Sequence, residues 1–201
     1  MGLPQLKSKL TETEYLNWEN SLIEQRHEFV DGEVFAMTGT RKSHNRVVLN
    51  LAPKLDALLR DTPCEVFALD IKVRVAAAKA YFYPDIVVTC PGEAPAEADP
   101  LVIDAPKVII EVASPSTSEY DLMGKFARYR LSPTLMEYVL ISADHHDLIV
   151  YRKIADGQWI IATTATPETL ELKSIDVTIS FSEIFANVAY VAPPSDDRSS
   201  R

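Results

Sequence analysis

Two acidic residues in apolar surroundings are the strongest indication of chemistry in this sequence. Glu111 lies in the middle of the segment "KVIIEVA", and Asp85 follows Pro84 at the start of "DIVVT". Side chains alternate along a strand, so Glu111 shares a face with Ile109 and Ala113. An ionised carboxylate near a core needs a cation, a basic partner or water. Two adjacent strands that each deliver one acid to a cleft would suit a hard divalent cation such as Mg²⁺.

Each acid also has a simpler interpretation. Glu111 could lie on an edge strand and face solvent, and a Pro-Asp pair is common in turns. Proline cannot donate a ladder hydrogen bond, so Pro84 also marks a strand start or a bulge that could aim Asp85 at a cleft.

The helix that follows Glu111 supplies the opposite charge. Asp121, Lys125 and Tyr129 are spaced i, i+4, i+8 and share one stripe of that helix. Because the helix begins within a turn of the strand, Lys125 can reach the same cleft. The alternative is a surface ion pair between Asp121 and Lys125, worth about 0.3–0.5 kcal/mol.

The elements that must position these residues follow from periodicity and turn signals. Thr11 and Glu14 have the spacing of a capping box, and Asp31-Gly32 indicates a hairpin. A second helix should begin near residue 43, with a kink or shortening at Pro53. The segments "EVFALDIKVRV" and "AYFYPDIVVT" predict strands, followed by a loop, the strand of Glu111, a helix and a meander of strands. We therefore expect an α/β or α+β domain with a mixed sheet flanked by helices.

Length and composition indicate one folded domain. The 201 residues are 47% apolar and 24% charged, which argues against global disorder. We expect flexible tails at residues 1–10 and 191–201 and a single domain over residues 11–190. The formal net charge is −9, whereas proteins that coat nucleic acid are usually basic. A nucleic-acid partner would have to meet a local basic patch or a bound cation.

Cysteine usage and the absence of targeting signals predict the compartment. Cys64 and Cys90 fit neither a disulfide framework nor a zinc-binding spacing, so we expect two reduced, buried thiols. The first residues lack the apolar run of a signal peptide, and no stretch approaches the length of a membrane span. A cytoplasmic protein with no membrane partner is expected.

Several segments together resemble a known family. The segments "HEFVDGEVFAMTGTRKSHNRVV", "YPDIVV", "VIIEVASPSTSEYDLMGKFARYR" and "MEYVLIS" resemble the Uma-two family of endonucleases, within the PD-(D/E)XK restriction-endonuclease-like superfamily. The resemblance covers roughly residues 11 to 155. It implies a restriction-endonuclease-like mixed sheet flanked by helices. It also implies an endonuclease that hydrolyses DNA phosphodiester bonds with Mg²⁺, for which Mn²⁺ can substitute.

The resemblance assigns roles position by position. Asp85 matches the Asp of the PD element and Glu111 the acid of the second element, which makes both catalytic metal ligands. The motif lysine expected two residues after that acid is replaced by Ala113, and the resemblance implies that Lys125 takes its place. Supporting roles fall to three further polar residues, namely Glu28, His44 and Asp121. A histidine at a helix start, however, is more often an ordinary surface residue.

Two basic segments could contact DNA phosphates. The segment "TRKSHNR" carries Arg41, Lys42 and Arg46, and "KFARYR" includes Arg128. Both could equally be solvated surfaces. A homodimer is expected, since cutting both strands of a duplex commonly uses two sites.

Two other functions remain open from the sequence. The acidic charge and the missing lysine at Ala113 would also suit a catalytically inactive, nuclease-derived module for nucleic-acid binding or assembly. A carboxylate-pair glycosidase is the weaker alternative, because neither Trp18 nor Trp159 lies near the acids in sequence.

Overall fold

The structure is a computed structural model. It describes residues 9–37, 39–91, 99–113, 119–162 and 168–191, and for residues 119–122 only the backbone. Most of both predicted tails lies outside the described residues, as do Ser114, Ser116 and Thr117, which follow the predicted strand of Glu111. The predicted domain boundaries therefore stay a prediction.

Four α-helices and thirteen strands make up the described chain. The helices are α1 (Glu12–Ser21), α2 (Lys42–Leu59), α3 (Glu119–Tyr129) and α4 (Phe181–Ile184). The strands are β1 (His27–Val30), β2 (Glu33–Ala36), β3 (Glu65–Ala68), β4 (Lys72–Val75), β5 (Ala80–Phe82), β6 (Ile86–Thr89), β7 (Val102–Ile103), β8 (Pro106–Ala113), β9 (Glu137–Ser142), β10 (Asp147–Lys153), β11 (Trp159–Ile161), β12 (Thr169–Leu172) and β13 (Val177–Ser180). Short 3₁₀ turns lie at Ala76–Ala78 and Lys173–Ile175.

The strands form two large sheets and one small sheet. The six-stranded sheet has the order β11-β10-β9-β8-β6-β3, the five-stranded sheet has the order β2-β1-β5-β4-β7, and β12 pairs with β13. Strand β8 runs antiparallel to β6 and parallel to β9, and α3 makes the connection from β8 to β9. The predicted mixed α+β architecture with flanking helices is confirmed.

The two faces of the six-stranded sheet cover different cores. Val108, Ile110 and Val112 pack with the apolar stripe of α2 and with the small sheet. Ile109 packs on the opposite face with α3 and with strands of the five-stranded sheet. The predicted alternation along β8 is therefore confirmed, and it turns Glu111 towards α3 and the second sheet.

Local sequence signals correctly predicted where several elements begin or turn. The Thr11 hydroxyl accepts from the Glu14 backbone N–H, and the Glu14 carboxylate accepts from the Thr11 N–H, so the capping box begins α1 as predicted. Asp31 and Gly32 have φ of 45° and 93° in the β1–β2 hairpin, a conformation that glycine adopts easily. Helix α2 continues through Pro53 to Leu59, so the helix is not shortened there.

Two segments predicted as strands are each divided between the two large sheets. The chain passes from β3 to β4 through Leu69 and Asp70, which both have positive φ. It passes from β5 to β6 through Tyr83, Pro84 and Asp85. Proline cannot donate to a ladder, so the strand breaks there and the next one joins the other sheet.

The prediction of two reduced, buried thiols was wrong. Cys64 and Cys90 form a disulfide and are half-buried. Glu65 pairs with Thr89 in the antiparallel β3–β6 ladder, so the cysteines one position further out lie across from each other. The strand register creates a proximity that their separation of 26 residues does not indicate.

Candidate active site

The two predicted acids lie side by side, with Glu111 in β8 and Asp85 directly before β6. In the β6–β8 ladder Ile86 pairs with Ile110, and one position further along this antiparallel register Asp85 lies across from Glu111. The Val112 backbone N–H donates to Asp85 Oδ2 at 2.7 Å. The Asp85 carboxylate is thereby held against β8.

Glu111 is a buried residue of a central strand rather than an edge residue in solvent. It is 5% exposed, and β8 has β6 on one side and β9 on the other. Its Oε1 atom lies 3.3 Å from Lys125 Nζ and accepts a hydrogen bond from the Tyr129 hydroxyl at 3.2 Å. Helix α3 therefore supplies both donors to this carboxylate.

A third carboxylate comes from the other large sheet. Glu28 in β1 is buried, and its Oε1 lies 2.6 Å from Lys125 Nζ. The Lys125 side chain is only 12% exposed. It connects Glu28 in one sheet to Glu111 in the other, and so fixes the position of α3 over the cleft between them.

His44 contacts the carboxylate of Asp85. It lies in the first turn of α2, and its Nε2 is 3.0 Å from Asp85 Oδ1 and 3.1 Å from Oδ2. The residue is 8% exposed, so His44 is not an ordinary surface histidine. Its Nδ1 is buried and has no hydrogen-bond partner among the described residues.

Burial and crowded negative charge control protonation in this cluster. Burial raises the pKa of Glu111 to about 7, with further increases from Asp85 and Glu28, while Lys125 acts to lower it. Burial alone would lower the pKa of Lys125, but attraction from Glu111 and Glu28 outweighs burial and raises that pKa. Lys125 is thus held as an ammonium ion, and Glu111 readily takes up a proton when no other cation is near.

The raised pKa of Glu111 predicts that the metal-free protein loses stability as the pH rises. Between the ordinary pKa of 4.5 and about 7, folded Glu111 keeps a proton that the unfolded chain has released. Because the folded state binds this extra proton, low pH favours folding. The stabilisation that Glu111 contributes is therefore lost as the pH rises through this range. Urea unfolding in EDTA between about pH 5 and pH 8 should show this decline in wild type, and Glu111→Gln should reduce it. The exposed-acid variant Asp70→Asn should keep the wild-type slope, and an unchanged slope in Glu111→Gln would contradict the assignment.

The charges of the cluster suit a divalent cation. The carboxyl groups of Glu28, Asp85 and Glu111 act on the single ammonium of Lys125, so the cluster carries excess negative charge when Glu111 is ionised. Within the part of the chain that the structure describes, no three His, Cys, Asp or Glu side chains are already gathered as metal ligands. Asp85 and Glu111 could still hold Mg²⁺, because this ion usually keeps several waters and binds through one or two carboxylates.

The remaining predicted residues lie away from the acid pair or are only partly described. Asp121 is in α3, but its side chain is outside the described part of the structure. Arg41, Lys42 and Arg46 are exposed at the start of α2 and line a pocket of about 560 Å³ with Asn187. Arg128 donates to the backbone carbonyl of Gly124 within α3.

Other contacts concern residues that the sequence left ambiguous. Arg41 Nη1 is 3.3 Å from Asp144 Oδ2, which anchors one of the basic residues. Asp70 lies in the β3–β4 turn, where its side chain is 77% exposed and pairs with Arg26. From the sequence, Tyr129 is identified only as a member of the Lys125 stripe. Its i+4 spacing from Lys125 was the available signal of a second donor to the cleft.

Comparison with known proteins agrees with this fold and with the matched motifs. A sequence model of the Uma2 family, described as "Putative restriction endonuclease", matches residues 13–182. Two uncharacterized proteins of Synechocystis sp. are similar to this chain. The protein slr1290 is 34% identical over an alignment that covers 90% of this chain and 94% of its own length. The other, sll1609, is 34% identical over 76% of this chain and 85% of its own.

A solved structure shares the architecture. The crystal structure of a "putative nuclease belonging to DUF820" from Anabaena variabilis superposes with a TM-score of 0.71 at 18% identity, covering 88% of this chain and 97% of that one. The mixed sheets and their flanking helices thus define an α+β protein of restriction-endonuclease-like fold. With 170 consecutive positions matched by the family model, the chain belongs to the Uma2 family. Among the described residues, no helix is long and apolar enough to cross a bilayer.

Proposed function

We propose that this protein is a Mg²⁺-dependent endonuclease that hydrolyses phosphodiester bonds of DNA. The observation that carries the proposal is the placement of Asp85, directly before β6, across from Glu111 of β8, with Lys125 Nζ 3.3 Å from Glu111 Oε1. Family membership supports the nuclease class.

Each residue has a distinct part in the proposed reaction. Asp85 and Glu111 would hold the cation, and the Val112 N–H keeps the Asp85 carboxylate in place. When bound, Mg²⁺ would polarise the phosphate and lower the pKa of a bound water. Lys125 is a permanent positive charge in a buried cleft, where it would orient the attacking water or stabilise the extra negative charge of the transition state.

Two polar neighbours support this set. Glu28 holds the Lys125 ammonium at 2.6 Å, which keeps the long side chain directed at the cleft. His44 holds the Asp85 carboxylate from the α2 side. We place Asp121 in the same supporting group because of its position on the Lys125 stripe. For duplex cleavage we propose that two copies of the chain act together as a homodimer, each cutting one strand.

DNA would meet the exposed basic residues at the start of α2. Phosphate contacts by Arg41, Lys42 and Arg46, and by Arg128 on α3, would offset the overall acidity of the chain, since electrostatic contacts to phosphates dominate nonspecific affinity.

This proposal predicts a change in salt dependence. Lys42→Gln and Arg46→Gln should each weaken duplex binding and reduce the slope of log K against log salt concentration by about 1. Fluorescence anisotropy of a labelled duplex in EDTA measures this without cleavage. Lys173→Gln, which alters an exposed lysine outside both basic segments, should leave the slope unchanged. Slopes equal to that of wild type in all variants would mean that these α2 residues do not contact DNA phosphates.

The inactive binding or assembly module remains the second candidate function. It is favoured by the ion pairs that Lys125 already makes with Glu28 and Glu111. Calorimetry with Mg²⁺ or Mn²⁺ separates the two functions, because such a module has no need to bind metal at this acid pair.

The direct test of the proposed function is nicking of supercoiled plasmid DNA. Wild-type protein should convert plasmid to open-circular and linear forms with Mg²⁺ or Mn²⁺, and excess EDTA should stop the reaction. DNA that stays intact with both metals, at protein concentrations that saturate DNA binding, would reject the nuclease and favour the binding module.

A further inference from the structure

Tyr129 is a buried residue of α3 that touches the proposed metal-binding acid. It is 0% exposed, and its hydroxyl donates to Glu111 Oε1 at 3.2 Å. The ring is 4.9 Å from the ring of Phe82 and 5.7 Å from that of Tyr138, measured between centroids. Packing against these two rings holds the hydroxyl in one place.

Lys125 contacts the same Glu111 oxygen atom but lies closer to Glu28. Its Nζ is 3.3 Å from Glu111 Oε1 and 2.6 Å from Glu28 Oε1. Tyr129 lies one helical turn after Lys125, so α3 directs two donors at a single carboxylate oxygen. If Lys125 turns towards a phosphate or water during the reaction, Tyr129 is the donor that stays with Glu111.

We propose that Tyr129 is a positioning residue: its hydroxyl keeps Oε1 of Glu111 engaged, so that the carboxylate retains one orientation and presents its other oxygen to the cation. This inference rests on the proposed function. Hydrogen-bonding partners behind a metal ligand orient it and typically contribute about 10–100-fold in metal affinity or activity.

A tyrosine suits this task because it donates without bringing charge. A phenol hydroxyl is an uncharged hydrogen-bond donor at neutral pH. The hydroxyl therefore keeps its proton and remains a donor. A second ammonium at this position would instead cancel negative charge that the acid pair needs for a divalent cation.

The chain provides a matched control for removing this hydroxyl. Tyr138 is also 0% exposed and packs against Tyr129, but its hydroxyl has no hydrogen-bond partner among the described residues. Tyr129→Phe and Tyr138→Phe thus remove the same atom from the same aromatic cluster, and only the first removes a hydrogen bond to Glu111.

The test compares both variants with wild type by Mn²⁺ titration calorimetry and steady-state plasmid cleavage. We expect Tyr129→Phe to weaken Mn²⁺ binding by about 10-fold or more and to lower kcat at saturating metal, with the KM for DNA unchanged. Tyr138→Phe should match wild type in both measurements. A purely structural role for Tyr129 would lower the unfolding temperature and leave the Mn²⁺ affinity of the folded protein unchanged.

The outcomes separate this inference from the proposed function. If wild type binds Mn²⁺ and Tyr129→Phe binds it with the same affinity, the positioning role is overturned. The proposed nuclease function is not affected by that result. A wild-type protein that neither binds Mn²⁺ nor cleaves DNA overturns both. An equal loss of Mn²⁺ affinity in Tyr138→Phe also overturns the role, because it assigns the effect to the aromatic packing.

Discussion

Asp85→Asn and Glu111→Gln should each reduce Mg²⁺-dependent plasmid nicking by at least about 10²–10³-fold, the loss typical when one preorganised group that stabilises a transition state is removed. Both changes keep the size of the side chain and remove its negative charge. An amide is a poor ligand for a hard cation compared with a carboxylate, so metal binding should fail first. Calorimetry with Mn²⁺ should show that loss alongside the loss of cleavage.

Asp70→Asn is the control for this pair of variants. It makes the same chemical change at an acid of the neighbouring turn, where the side chain is 77% exposed and contacts Arg26. Nicking and Mn²⁺ affinity should equal those of wild type. Cleavage that survives in both Asp85→Asn and Glu111→Gln would mean that the activity belongs to another site.

Lys125→Met should have the largest combined effect on stability and activity. The change leaves the buried Glu28 and Glu111 carboxylates without their shared ammonium. Breaking a buried ion pair by removing one partner typically costs about 3–5 kcal/mol, and the free energy of unfolding in urea at neutral pH and without metal should fall by that order. Plasmid nicking should fall as well, by about 10²-fold or more.

A double variant separates these two effects. Lys125→Met combined with Glu28→Gln removes one of the stranded charges, so the free energy of unfolding should recover part of its loss. Nicking should not recover, because the ammonium at the reaction site is still absent. Recovery of both would make Lys125 a structural residue. A single variant as stable as wild type would contradict the ion pairs themselves.

The central part of the site could be predicted because short-range rules determine it. Alternation along a strand placed Glu111 on the face away from Val108, Ile110 and Val112, and the structure agrees. Helical spacing brought Lys125 to the same cleft. These inferences need only the periods of a strand and a helix and the order of the elements.

The rest of the site depends on long-range pairing that no local pattern encodes. Glu28 reaches Lys125 only because β1 belongs to the other large sheet, and His44 reaches Asp85 only because α2 packs against the six-stranded sheet. The Cys64–Cys90 disulfide has the same origin, since it follows from the β3–β6 register. Strand β12 was also not predicted, because a four-residue segment that includes a glutamate carries little apolar signal.

The most direct measurement of the central claim is a crystal structure of the protein soaked in Mn²⁺, with anomalous data collected for manganese. The account predicts a peak between the carboxylates of Asp85 and Glu111, absent from an identically soaked Asp85→Asn crystal. A wild-type crystal with no peak at that position, although the same protein preparation cleaves plasmid in Mn²⁺, would contradict it.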